Sequence, residues 1–330
     1  MTVALNGKRA DFPAIRLWYV YVFAFLVVWA VVVFGFGLFP AVVRQWPMAL
    51  VMILGSLVAG STPMAGGAVS FPVLVLAMGV APDSARNFGL LIQAAGMTSA
   101  MIFIFCRRVP VQGRLLGWTK VGAAGGMLLG TFVLAPHVPA NFVKLTFACM
   151  WMSFAVLTIA KNHEFSAMTG TRRVTGQAAL SVGLVVGIIG GVIASITGNG
   201  VEMILYVALV LLYRCDLKIA VPTAVSAMAA TSVIGVATRL YVAHISSDVM
   251  MKFLAAGPFV IFGAPIGTYI VSVIPRRRTL YALAILCVAQ FAWTLDRLER
   301  TPTEWIFVAI AMTSAGAVFY WMYRRGRHNL

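Results

Sequence analysis

Eight long apolar runs, each close to the length that crosses a bilayer, follow one another along the chain: Trp18–Pro40, Phe88–Cys106, Leu115–Leu134, Phe142–Ala160, Ala220–Leu240, Met251–Ile274, Leu280–Leu295 and Trp305–Tyr323. Spanning the hydrocarbon core of about 30 Å takes about 20 residues of helix. Inside it every backbone N–H and C=O must find a partner within the protein. With 61% hydrophobic and only 10% charged residues, a soluble globule would expose large apolar patches. The chain therefore reads as an all-α polytopic membrane protein, with the lipid bilayer as its first partner.

The net charge of +16 could suggest nucleic acid, but nearly all the basic residues sit in short gaps between apolar runs, where they act as topology determinants. Lys8, Arg9 and Arg16 precede the first run. Further gaps hold Arg107, Arg108 and Arg114, then Lys161, Arg172 and Arg173, then Arg214 and Lys218, then Arg276 to Arg278, and Arg324, Arg325 and Arg327 follow the last run. By the positive-inside rule these segments, and both termini, are cytoplasmic. The first run is long enough to span and no A-x-A site follows it, so it reads as a span rather than a cleaved signal.

Two segments break the pattern. Pro47–Gly60 and Ala65–Ala77 are each only about 20 Å as helix, joined by Ser61 to Met64 within GSTPMAGGAVSFP at 60–72. In the second half, GGVIASITGNGVE at 190–202 separates Ala179–Ile196, long enough to span alone, from Val201–Tyr213, which is not. Irregular backbone at membrane depth survives only where protein or a water-filled cavity surrounds it. Both segments read as re-entrant or broken helix hairpins. An offset near 135 relates the halves: it maps Thr62 onto Thr197 and Gly60 onto Ser195, and 137 takes Gly126 and Gly130 onto Gly263 and Gly267. Hairpin then three spans, repeated in opposite orientation, is the inverted repeat that supports alternating access. The expected layout is eight full spans plus two hairpins. It divides into 1–46 with an extra first span, a first repeat at 47–160, a linker at 161–176, a second repeat at 177–295, and a last span with its basic tail at 296–330.

Glycines let backbone amides approach a ligand, and helix starts expose unpaired N–H groups at the positive end of the dipole. Gly66 and Gly67 with Ser61 and Thr62, and Gly198 and Gly200 with Thr197 and Asn199, would thus make a substrate site for a small anion. Close helix packing is the competing use of such glycines. Gln93, Thr223 and Ser226, like Asn87 and Thr231, either line the cavity or bond across helices. Glu202 follows the second cluster; a buried carboxyl group there is a proton-coupling candidate, or a group satisfying nearby amides. Arg86 near Asp83 and Arg239 read as interfacial arginines that snorkel, ahead of exterior anion attraction. Cys106, Cys149, Cys215 and Cys287 have no metal or disulfide spacing, and no nucleophile–base or nucleotide motif occurs. Neither a cofactor nor an enzyme is expected.

At these residues the chain resembles the sulfite exporter TauE/SafE family. The likeness rests on GSTPMAGGAVSFPVL at 60–74, the Pro82–Gly89 region, SITGNGVEMILYVALVLLY at 195–213 and PTAVSAMAATSVIG at 222–235, and it covers about 47–295. It implies export or exchange of small anions, typically sulfur oxyanions or organosulfonates, through a two-repeat bundle in the bacterial inner membrane. Glu202 stands where one branch of that family often has aspartate; Thr62, Pro63 and Met64 depart from its more compact glycine pattern. An anion channel and a non-transporting membrane assembly protein are the alternatives.

Overall fold

A computed structural model describes residues 12–63, 73–171, 173–242, 245–296 and 301–328. Its helices in chain order are α1 (Phe12–Gly35), α2 (Phe39–Arg44), α3 (Trp46–Ser61), α4 (Pro82–Cys106), α5 (Gly113–Leu129), α6 (Ala140–Ala160), α7 (Asn162–Ala167), α8 (Gly176–Thr197), α9 (Val201–Val207), α10 (Leu217–Val242), α11 (Ser247–Val273), α12 (Arg276–Asp296) and α13 (Pro302–His328). Eight of them, α1, α4, α6, α8 and α10 to α13, are long and apolar enough to cross a membrane. The chain is thus an all-α polytopic membrane protein. Two helices differ in form from expectation. Helix α5 continues without a break into a π turn at Gly130–Leu134, so the expected run to Leu134 is helical throughout, while α8, expected as half of a hairpin, is a 22-residue helix, about 33 Å long.

Burial sorts the helices into centre and rim. Helices α4 and α10 form the centre, whereas α1 and α13 present most of their surface outward. Lipid tails are as apolar as leucine, so burial alone does not drive these helices together; close backbone approach and polar contacts do. Glycines recur every fourth residue at 122, 126 and 130 and again at 183, 187 and 191, which aligns each set on one face of its helix. The two faces interlock. A Cβ on Gly187 would sit 2.7 Å from Ala123 N, and one on Gly191 2.8 Å from Met127 N. Helices α3 and α11 meet in the same parallel sense: a Cβ on Gly60 would lie 2.8 Å from Ala264 C, one on Gly267 3.0 Å from Ser61 N, and Thr268 Oγ1 donates to Gly60 O at 3.1 Å.

At one end of the bundle the basic loops are tied together. Arg214 pairs with Glu164, which also accepts from Tyr323 Oη at 2.6 Å. Arg276 Nε donates to Asp216 Oδ1 at 2.9 Å, and Lys218 Nζ to Ser272 O at 2.7 Å. Asp216 N donates to Gly170 O at 2.8 Å. The chain leaving α9 thus returns to the end where α8 began, after the π turn Ala208–Leu212. Extra helix α1 is fastened by Trp18 Nε1 to Ser99 Oγ at 2.9 Å, Tyr21 Oη to Ala95 O at 2.8 Å and Trp29 Nε1 to Leu254 O at 2.7 Å.

Candidate substrate site

The break between α8 and α9 occurs because Gly198 adopts φ of +85° and Gly200 φ of +156°, conformations that side-chain-bearing residues rarely hold. Gly198 N still reaches back to Ala194 O at 2.8 Å, the usual left-handed helix stop. A Cβ on Gly200 would meet Ile193 Cγ2 at 2.8 Å, so the chain turns in contact with its own helix. Thr197 Oγ1 lies 2.6 Å from Asn199 O and 3.3 Å from Asn199 N. Gly200 N donates to Glu202 Oε1 at 3.0 Å. The amide of Gly200, expected to hold a ligand, is bonded within the turn in this structure, as is that of Asn199. Glu202 is 2% exposed, and its carboxylate serves the start of its own helix, where the dipole favours it.

What the turn presents to its neighbours is the Asn199 side chain. Gln93 Nε2 on α4 donates to Asn199 Oδ1, and Ser232 Oγ on α10 donates to Gln93 Oε1 at 3.0 Å. All three are buried. This polar layer joins α4, α10 and the break across separations of 106 and 139 residues.

Seven residues toward the opposite end from the basic loops lies a second polar layer. Arg86 and Arg239, expected to snorkel, are instead buried, at 5% and 8% exposure. Their burial follows from where α8 stops: its last turn ends beside them with carbonyls that have no partner within the helix. Arg86 Nη1 donates to Ile196 O at 3.4 Å and pairs through Nη2 with Asp83 at 2.9 Å; Arg239 Nη2 donates to Ser195 O at 3.0 Å. Buried polar atoms without a hydrogen-bond partner occur at both ends of the bundle; at this end they are Arg86 Nε, Asn87 Oδ1 and Arg239 Nε, with Thr131 Oγ1 next in chain to Gly130, which packs on Ser195. The charges of these residues were legible, but nothing local in the sequence marked α8 as their partner.

The remaining site residues fall elsewhere. Thr223 Oγ1 accepts from Gln112 N at 3.1 Å at the basic end, and Ser226 Oγ donates to Pro222 O at 2.8 Å; their hydroxyls are bonded there rather than to the turn. Ser61 Oγ and Thr62 Oγ1 both donate to Val58 O, at 3.2 and 2.8 Å. Gly66 and Gly67 lie outside the described residues. No group of three His, Cys, Asp or Glu side chains is placed to hold a metal ion among the described residues.

Neither a search of curated proteins nor one of solved structures finds a match. A family model described as Sulfite exporter TauE/SafE does match, over residues 48–294. Proteins of that family are transporters, not enzymes. The match runs from the start of α3 to the end of α12 and takes in both polar layers, and the chain belongs to the sulfite exporter TauE/SafE family.

Proposed function

We propose that the protein is a secondary transporter that exports small anions, sulfur oxyanions or organosulfonates, by alternating access, from a multi-pass position in the inner membrane with both termini cytoplasmic. The observation that carries this reading is the layer of Gln93, Asn199 and Ser232, buried at the one described break where two helices meet through left-handed glycines. A helix broken beside buried polar side chains is where transporters place their substrate, and polar groups at such depth are costly unless they serve a ligand or one another.

The inverted repeat is supported by an exchange of contacts. Gly130 packs on Ser195, and Gly267 packs on Gly60 and Ser61; the offsets that relate the halves carry one contact onto the other. Thr62 and Thr197 likewise bond the same partner four residues back, Val58 O and Ile193 O. In this reading the tip around Ser61, Thr62, Gly66 and Gly67 completes the site from the other half. Glu202 takes or releases the coupling proton, its carboxyl already held against Gly200 N.

The test is flux of labelled sulfite, thiosulfate, sulfoacetate and sulfate into proteoliposomes, with and without an imposed pH gradient. Uphill accumulation of one or more, lost in Asn199→Leu and in Gly198→Val, is the expected result. Flux that only runs downhill would make the protein a channel. No flux from folded protein would favour an assembly role.

A further inference from the structure

We propose that Arg86 and Arg239 form a second anion station, about 10 Å along the bundle axis from the Gln93–Asn199–Ser232 layer, built to take the oxygens of a small oxyanion. The distance follows from register: Arg86 and Gln93 are seven residues apart on α4, and so are Ser232 and Arg239 on α10. Seven residues make two helical turns, so each pair shares a face at that separation. Because Gln93 and Ser232 are bonded to each other and the two helices run in opposite directions, the arginines come level with each other as well. They reach the carbonyls of consecutive residues, Ser195 and Ile196, which holds both guanidiniums at the same helix end.

A capping role alone does not account for this pair. The carbonyl end of α8 offers a partial negative charge, which one guanidinium would match. Here there are two, both more than nine-tenths buried. The carboxylate paired with Arg86, Asp83, is 81% exposed at its side chain, so water weakens the pair and it offsets the guanidinium only in part. Each guanidinium keeps a buried Nε–H with no partner. Burying cationic donors without an acceptor is unfavourable. An anion that accepts from both nitrogens removes that cost. Guanidinium N–H groups have fixed directions and suit acceptors with two or more oxygens, so a sulfonate- or sulfate-like head is favoured over a halide. Gly198, whose added Cβ would sit 3.4 Å from Arg86 Cγ, brings the turn against the same station. The inference rests on the anion-transport reading for the identity of the traffic, not for the existence of the site.

The experiment uses the full-length protein in lipid nanodiscs at constant ionic strength and pH. Binding of sulfate and of methanesulfonate is measured calorimetrically, with chloride as the competing halide. The wild type binds the oxyanions in preference to chloride. Arg239→Lys, which keeps the charge but not the directed fork, loses affinity by about tenfold. Asp83→Asn, an exposed change that removes the competing carboxylate, tightens binding by roughly two- to fivefold. That gain cannot come from misfolding, so Asp83→Asn decides the matter if the arginine variant fails to fold. Equal affinity in wild type and Asp83→Asn, or no preference for oxyanion over chloride, overturns the station. Transport that persists with unaltered binding in these variants sinks the station and leaves the transporter reading intact. Binding with the expected pattern but no flux does the reverse.

Discussion

Adjacent glycines on α5 should respond in opposite ways to the same substitution. A Cβ on Gly125 meets nothing within 4 Å, whereas one on Gly126 points into Ile188 O and lies 2.9 Å from both Ile188 C and Cα. Ordinary contact begins near 3.4 Å, so α5 and α8 would have to separate at that point. The obstacle is backbone, which cannot rotate aside as a side chain can. Gly125→Ala should be neutral or gain up to about 1 kcal/mol from helix propensity. Gly126→Ala receives the same gain but incurs an overpacking cost of about 1–3 kcal/mol, with the added loss of van der Waals contact along a seam where packing drives association. The two variants should therefore differ by about 1–3 kcal/mol, with Gly126→Ala the weaker. Equilibrium unfolding in mixed micelles by added SDS, followed through tryptophan fluorescence, reads this difference directly. Equal midpoints for the two variants would refute the interlocked seam, and with it the claim that the broken helix is held rigidly to α5.

Burial pushes the Glu164 carboxyl up, but hydrogen bonds from Tyr323 and Arg214 and the charges of Arg214 and Lys161 outweigh it and leave the group below its ordinary 4.5. A carboxyl depressed in the folded state contributes stability above its unfolded pKa and loses it as pH falls through the folded value. The wild type should therefore lose thermal stability more steeply below about pH 4.5 than Glu164→Gln does, as measured by melting midpoints across the acid range. Glu202→Gln should keep the fold, because an amide oxygen can still accept from Gly200 N, while transport loses its pH dependence; unchanged coupling in the flux assay would remove Glu202 from that role. The four cysteines are buried, and burial pushes the Cys215 thiol up to about 11, so maleimide at pH 7.5 should label the native protein slowly and the SDS-unfolded protein fully, read by intact mass.

Much of the architecture was legible because it is carried by local pattern. The apolar runs marked the spans, and the left-handed positions at Gly198 and Gly200 fell where Gly-rich sequence interrupts an apolar run. The site was legible only where side-chain chemistry was scarce enough to stand out, as with Gln93 in the middle of a span. Partners were not. Gln93 meets Asn199 across 106 residues, and Arg86 meets Ile196 across 110; no local signal encodes either pairing. Distance from the end of an apolar run placed Arg86 and Arg239 near the interface, but their burial is set by where α8 stops. Thr223 and Ser226 were read as lining the cavity or bonding across helices; both bond carbonyls four residues back on their own helix, a use of hydroxyls that leaves nothing to show in sequence, and Thr223 also accepts from Gln112 N.

The two glycine seams also constrain how the bundle can move. Helix α8 is locked along α5 and helix α3 along α11, each through backbone contacts that a small slide would break. Packed interfaces of this kind favour one arrangement or another rather than continuous deformation. Motion is then expected between the α3–α11 pair and the α5–α8 pair, which meet mainly through α4 and α10, packed against each other in the middle. The polar layers lie across that division. Gln93 and Arg86 sit on α4, which packs on α11; Asn199 and the carbonyls of Ser195 and Ile196 belong to α8 and the turn that follows it; Ser232 and Arg239 sit on α10. Hydrogen bonds between such layers can exchange for bonds to a ligand at small net cost, whereas the glycine seams have no substitute contacts. An anion of the kind proposed above, accepting from these donors, would bind across the boundary between the two locked pairs rather than within either of them.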